Sequence, residues 1–454
     1  MKKRFDYDLA ILGSGDAGGE AALIAAKSGL KVALIESQKW GGSSLNYTNV
    51  PLGALFHATQ LFRAATEGAR FGLSSANLRY NYPTLNNWKN VAMKRAHANS
   101  KKDFEEAGID CVHGHGHLLS KYEVSVGDQK VIKAKNILLA TGAEMLDTGI
   151  TIPENYDYWL PENVLEMIRP PKTIFIVGAG PTGCEFAQFF ATLGTEVIIA
   201  EIAGRLLPRE DEEVGQVLDE TFNKQGIKVL TQSRVIALEK DGVSKKVIFL
   251  RGGQEKSVRV DQVLLCTGSA PNIDLGLENA DVKFTRNGIQ VDNTMRTSQK
   301  NIYAAGDVVG GHSSTEKALI DARVAVSHII GRSKAVVDYR GVIRVTNIAP
   351  EVAQLGATED DCIRADRKIK KIVLPLNVVQ KSNITDEDRG FIKLICTKKG
   401  DKLIGATIMA PNAGLMMQEL SMAMMLDLSV YDIAHLPHLA NDWGELIRTA
   451  CERL

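Results

Sequence analysis

The residues with the clearest chemistry are two sets of three glycines, each followed at a distance by a glutamate. Gly13, Gly15 and Gly18 follow the apolar run Leu9-Ala10-Ile11-Leu12, and Glu36 ends the next one, Val32 to Ile35. Gly178, Gly180 and Gly183 follow Ile174-Phe175-Ile176-Val177, and Glu201 ends Val197 to Ala200. In a strand–turn–helix–strand unit of this kind the first glycine makes the tight turn and the second lets backbone approach a pyrophosphate. The third lets helix and strand pack closely, and the free N–H groups of the helix N-terminus face the phosphates. The closing carboxylate accepts from a ribose hydroxyl. One such signature is a weak signal; two, each in full context, predict two bound dinucleotides. Glu201 favours an unphosphorylated ribose because its charge repels a 2′-phosphate, a preference that nearby Arg205 moderates.

These units need a scaffold with room for both. At 454 residues the chain exceeds a single hydrophobic core, so two or three domains are expected. Lys+Arg and Asp+Glu both number 54, which gives no electrostatic case for nucleic acid or an anionic membrane. The basic start Met1-Lys2-Lys3-Arg4 leads into a short strand from Tyr7 to Leu12 and a glycine turn, unlike a signal segment. No apolar stretch approaches the roughly 20 residues of a membrane span, and the expected location is the cytoplasm.

Other reactive side chains are dispersed. The six cysteines (Cys111, Cys184, Cys266, Cys362, Cys396, Cys451) have neither C-x-x-C nor zinc spacing and read as small buried hydrophobes. His113, His115 and His117 alternate, which on one strand would put three imidazoles on one face. Three imidazoles can bind zinc or copper, but a plain structural strand is the preferred reading, and no metal is expected. Met416, Met417, Met422, Met424 and Met425 read as a packed helix.

Several further segments carry a resemblance. Thr297-Ser298-Gln299-Lys300-Asn301-Ile302-Tyr303-Ala304-Ala305-Gly306-Asp307, Ala140-Thr141-Gly142, Thr267-Gly268 with Pro271-Asn272, and Ala349-Pro350-Glu351-Val352-Ala353 resemble motifs of the class I pyridine nucleotide-disulfide oxidoreductases, such as dihydrolipoamide dehydrogenase and mercuric reductase. The resemblance implies two Rossmann-like α/β domains, one for FAD and one for NAD, and an α+β C-terminal dimerisation domain. It implies non-covalent FAD at Gly13, Gly15, Gly18, Glu36, Gly42, Ser43, Thr141, Gly142, Gly268 and Gly306, with Asp307 on the ribityl chain. Gly178, Gly180, Gly183 and Glu201 would hold the nicotinamide dinucleotide, NAD(H) in preference to NADP(H). Expected boundaries are 1–148 and 271–335 for the FAD domain, 149–270 for the NAD domain and 336–454 for dimerisation, with a homodimer as the assembly.

Trp40-Gly41-Gly42-Ser43-Ser44-Leu45-Asn46-Tyr47-Thr48-Asn49-Val50-Pro51 resembles the segment that carries the family's redox disulfide, with Ser44 and Asn49 at the cysteine positions. Gly53 stands where the family has a lysine, whereas Glu185 matches that lysine's partner. Near the C-terminus, ungapped register puts Ala440 at the family's base and Glu445 at the carboxylate that orients it, and a shifted register brings His438 closer. Ser44, Asn49, Glu185, His438 and Glu445 are therefore the candidate catalytic residues. The expectation is an FAD-dependent NAD(P)H oxidoreductase acting on a small-molecule acceptor such as a quinone, a dye, oxygen or a second nicotinamide. It carries no disulfide-reductase activity. The competing expectation is a catalytically silent FAD-binding homodimer that serves as scaffold or sensor.

Overall fold

The computed structural model describes residues 4–74, 78–127, 130–146, 148–332 and 334–454, without the side chains of 97–100. The basic start Met1-Lys2-Lys3 lies outside the described residues. The chain falls into two compact units, Met1–Ala58 with Arg79–Asp147 and Gly268–Asp338, and Thr59–Leu78 with Thr148–Thr267 and Tyr339–Leu454.

The first unit is built on a parallel sheet in the order Asp110–His113, Val32–Glu36, Tyr7–Leu12, Lys130–Leu139, Ile302–Ala304. The stretches 9–12, 32–35 and 137–139 are continuous apolar runs because both faces are covered there. Leu9 and Ile11 pack against Ala21 and Ala25 of the helix Asp16–Lys27 and Ala322 of the helix Thr315–Ile329. Ala10 and Leu12, on the opposite face by the two-residue strand period, pack with Val124, Ile132 and Leu277. An antiparallel ribbon, Gly116–Ser120 on Glu123–Val126, extends the sheet.

This ribbon corrects the single-strand expectation for the histidines. The strand Asp110–His113 ends at Gly114, whose φ of +145° is open to glycine, and His117 belongs to the next strand. Among the described residues no group of three or more His, Cys, Asp or Glu is arranged to hold a metal.

The second unit contains a parallel sheet, Lys228–Leu230, Glu196–Ala200, Thr173–Val177, Gln262–Leu265, and a three-stranded antiparallel sheet. Its C-terminal part is a five-stranded antiparallel sheet in the order Ile343–Thr346, Glu351–Gly356, Leu403–Ala410, Phe391–Thr397, Ile369–Pro375. The helices Ala413–Met425 and Gly444–Arg453 pack on that sheet through Met416, Met417, Leu420, Leu446 and Ile447. Mixed α/β units with an α+β C-terminal part match the expected fold class. No helix among the described residues is long and apolar enough to cross a membrane.

Candidate functional site

Both glycine turns are locked by the glutamate that closes the unit. In the first, Glu36 Oε2 accepts from Ser14 N at 2.9 Å and Ser14 Oγ at 2.6 Å, while Oε1 accepts from Gln38 N at 2.8 Å. In the second, Glu201 Oε2 accepts from Ala179 N and Oε1 from Ala203 N, each at 2.8 Å. Glu36 Oε2 has accepted two donors, whereas Glu36 Oε1 and both Glu201 oxygens have accepted one each and keep a lone pair for a ribose hydroxyl.

The glycines fit bound pyrophosphates. Gly13 (φ +99°) and Gly178 (φ +97°) take conformations in which a side chain would strike Ala140 O at 2.2 Å and Cys266 O at 2.4 Å. A Cβ on Gly18 would lie 1.9 Å from Gly13 O, and one on Gly183 2.0 Å from Gly178 O. The middle glycines differ. A Cβ on Gly180 meets nothing within 4 Å, and one on Gly15 only the Gly42 Cα at 3.7 Å. Open space over the middle glycine and closed space under the other two is the arrangement a dinucleotide needs. Gly42 (φ +62°) is itself confined, because its Cβ would lie 2.5 Å from the Gly15 Cα.

Other residues expected at FAD cluster in the same unit. Asn272 clamps the Ala140–Gly142 segment: its Nδ2 donates to Thr141 O and its N to Gly142 O, and Thr141 Oγ1 donates to Asn272 O, each at 3.0 Å. Gly268 O accepts from Leu146 N at 3.1 Å. Gly306 (φ +79°) donates its N–H to Asp321 Oδ2 at 3.0 Å, an oxygen also bound by Lys317 Nζ at 2.7 Å. Burial pushes the neighbouring Asp307 carboxyl up from its ordinary value, with Asp16 and Asp321 adding to the rise. Lys317 and a bond from Ser313 oppose it.

Ser44 lies in the short helix Gly42–Asn46 and Asn49 opens the helix Asn49–Glu67. Ser43 is exposed, and its carbonyl accepts from Tyr47 N at 2.7 Å and Thr48 N at 2.9 Å. Tertiary structure draws Ser44 and Asn49 into one hydrogen-bonded group with two residues that the sequence reading missed. Ser44 Oγ donates to Asp16 Oδ2 at 2.5 Å, Thr315 Oγ1 donates to the same oxygen at 2.6 Å, and Asn49 Nδ2 donates to Thr315 Oγ1 at 3.0 Å. The signal for Asp16 was a carboxylate inside the first glycine turn. Nothing local marked Thr315.

Glu185, His438 and Glu445 belong to the second unit, where each has partners of its own. Glu185, half-buried in the helix Pro181–Thr192, accepts from Asn347 N at 2.7 Å and Asn347 Nδ2 at 2.9 Å. Burial raises its carboxyl, and these two bonds only partly offset the rise. His438 does not meet Glu445: its Nε2 lies 2.9 Å from Glu419 Oε1 and its Nδ1 2.9 Å from Leu436 O. Glu445 is bound by Arg448, one helical turn on, at 3.0 Å. Each of these two residues thus has a partner in its own neighbourhood. Cys184, Cys362, Cys396 and Cys451 are buried, and Cys111 and Cys266 half-buried, all as free thiols.

Comparison with known proteins extends this geometry. The family description "Pyridine nucleotide-disulphide oxidoreductase" matches residues 7–327, and that of the family's dimerisation domain matches residues 342–451. The chain is 31% identical to mercuric reductase of Staphylococcus aureus over 431 residues, covering 94% of this chain and 79% of that protein. It is also 31% identical to mitochondrial dihydrolipoyl dehydrogenase 2 of Arabidopsis thaliana, covering 98% and 90%. Among solved structures, the Cu(II) complex of the HOCl-induced flavoprotein disulfide reductase RclA from Escherichia coli superposes with a TM-score of 0.88 at 24% identity, covering all of both chains. LpdA from Mycobacterium tuberculosis gives 0.89 at 24% identity, covering 98% and 99%. These two share the fold.

The comparisons correct the functional expectation. The chain matches a family described by disulphide oxidoreduction and is similar over nearly its whole length to mercuric reductase and dihydrolipoyl dehydrogenase, against the expectation of no such activity. An acceptor oxidoreductase without that activity, and its silent-scaffold alternative, rested on Ser44, Asn49, Gly53 and Ala440 and are set aside. Members of the family bind FAD and a pyridine nucleotide. With similarity running from Tyr7 to Cys451 and not confined to the glycine turns, the chain belongs to the pyridine nucleotide-disulphide oxidoreductase family.

Proposed function

We propose that this protein is a homodimeric, FAD-dependent, NADH-preferring reductase of the disulfide-reductase class, acting on a small-molecule disulfide. The observation that carries the reading is the pair of glutamate-locked glycine turns, each with closed space under its outer glycines and open space over its middle one. The chemistry supplied by bound FAD is transfer of an electron pair between pyridine nucleotide and acceptor. FAD-binding residues come from 1–148 and 271–335, with Gly268 at the crossover between domains, and those for the pyridine nucleotide from 149–270. The turn at Gly13, Gly15 and Gly18 holds the pyrophosphate of FAD, Glu36 its adenosine ribose and Asp307 its ribityl chain. Gly178, Gly180 and Gly183 seat the second pyrophosphate, and Glu201 disfavours a 2′-phosphate.

The acceptor meets Ser44, Asn49, Asp16 and Thr315. Ser44 and Asn49 carry no sulfur, so both sulfurs of the reduction arrive with the acceptor: one disulfide, NADH and one proton give two thiols and NAD⁺. Dimerisation through residues 336–454 is supported by the matched domain and by its exposed Leu415, Leu426, Tyr431 and Leu439.

Anaerobic stopped-flow mixing with NADH tests the reading. The flavin should bleach, faster with NADH than NADPH, and lipoamide or another small disulfide should restore its colour with release of thiol. Protein that fails to retain FAD, a flavin that stays oxidised over minutes, or a reduced flavin that no disulfide reoxidises would sink it.

A further inference from the structure

Arg205 stands four residues beyond Glu201, in the turn that follows the strand Glu196–Ala200. An arginine near the adenosine ribose is the usual partner for a 2′-phosphate, and Arg205 is the cation nearest to Glu201 in sequence. The folded protein turns it elsewhere. Arg205 Nη2 donates to Asp360 Oδ2 at 2.6 Å and to the carbonyls of Pro208 and Glu210, both at 3.3 Å. Its stem lies along the helix Glu212–Lys224, where a Cβ on Gly215 would come within 3.0 Å of Arg205 Cβ. Asp360 sits in the first turn of the helix Glu359–Arg364, contributed by the C-terminal part of the same unit.

The neighbouring carboxylates of that turn have their own cations. Glu359 is bound by Lys371 and by Lys393, and Asp361 by Arg364. Two further ionic links tie the same loop to the C-terminal sheet, Arg344 to Glu210 at 2.9 Å and Lys393 to Asp211 at 3.0 Å. Arg205 is therefore paired with a carboxylate and has its Nη2 committed as a donor, on a loop anchored at three points.

We propose that Asp360 is a positioning residue for pyridine-nucleotide specificity: by retaining Arg205 it withholds that cation from a 2′-phosphate and keeps the protein selective for NAD(H). This rests on the reading that Glu201 faces the adenosine ribose. It adds a second determinant to Glu201, from a distant part of the chain. A merely structural role for Asp360 would weaken both dinucleotides alike; a positioning role changes their ratio.

Calorimetric titration of FAD-loaded protein with NAD⁺ and with NADP⁺ reads that ratio without turnover. Asp360→Asn should shift the ratio of dissociation constants toward NADP⁺ by about fivefold, the scale of one partly exposed charge pair. Asp360→Glu, which keeps the charge, should leave it close to wild type, and Arg205→Leu added to Asp360→Asn should abolish the shift. Arg205→Leu alone should leave the ratio unchanged, a test that stands even if Asp360→Asn is poorly folded. An unchanged ratio in Asp360→Asn, or a loss of NADP⁺ affinity on Arg205→Leu alone, overturns the inference. Wild-type protein that binds neither dinucleotide would instead overturn the proposed function.

Discussion

Glu185 is a carboxylate whose surroundings oppose its charge. Burial raises it, and the two donors of Asn347 recover only part of the loss. A carboxyl raised in the folded state contributes most to stability when protonated, below its unfolded value near 4.3, and that contribution is lost as pH rises through the folded value. Glu185→Gln should therefore raise the melting temperature at pH 7 to 8, with the gain vanishing toward pH 4. The Gln Oε1 can still accept both Asn347 donors. A melting-temperature gain independent of pH would show that Glu185 is not held against its charge. Asp16 poses the complementary case, since Ser44 and Thr315 both donate to one of its oxygens. Asp16→Ala leaves two hydroxyls competing for other acceptors, and we expect slower reoxidation of the reduced flavin by a disulfide with little change in its reduction by NADH. Equal slowing of both half-reactions would remove Asp16 from the acceptor side.

The elements are fixed at a few close backbone approaches. Gly42 opens the short helix carrying Ser44 and lies against Gly15 of the first turn. Gly42→Ala needs both an unfavourable φ and space that the Gly15 Cα occupies, so it should cost more than about 1 kcal/mol and loosen FAD. Dialysis against guanidinium, followed by the flavin absorbance remaining with the protein, checks this. Gly53 is the contrasting position. It lies exposed in the helix Asn49–Glu67, and a Cβ added there would meet nothing within 4 Å, so Gly53→Ala should stabilise by up to about 1 kcal/mol. Denaturant unfolding that shows a loss would mean that a glycine is required there.

At the scale of the molecule, ionic links secure the loop after Glu201 to the C-terminal sheet. Lys393 is 1% exposed and bonds Asp211, Glu213 and Glu359 at 2.8 to 3.0 Å. Burial pulls Lys393 down, but these carboxylates prevail and hold it above its ordinary value. Glu359 responds in the opposite sense: burial raises it, and its bonds from Lys371 and Lys393 bring it below the usual carboxylate range. Its share of stability is present above its unfolded value and lost as pH falls through its folded one. Lys393→Met, which leaves three carboxylates facing one another, should cost about 3 kcal/mol at pH 7 and less in acid. A neutral substitution by urea unfolding would show that the cluster is screened by water. Assembly is tested at the same scale. Leu439→Asp, on the exposed apolar surface of the C-terminal part, should shift the sedimenting species from dimer toward monomer.

Much of the fold was legible because its rules are local. A glycine at a positive φ, a run of apolar residues between turns and a glutamate closing the second strand each leave their mark within about 25 residues of sequence, and the observed Glu36 and Glu201 bonds span 22. The turns, their strands and the α/β class were determined at that level. The hydrogen-bonded group around Ser44 was not. Asp16 and Thr315 meet across 299 positions, and Lys393 reaches Asp211 across 182, distances over which no periodicity or spacing carries information. His438 finds Glu419 only through packing, whereas the Glu445–Arg448 pair is local, three residues apart on one helix. Side-chain partners are chosen by which surfaces pack together, and packing is decided by the whole buried core rather than by any one segment.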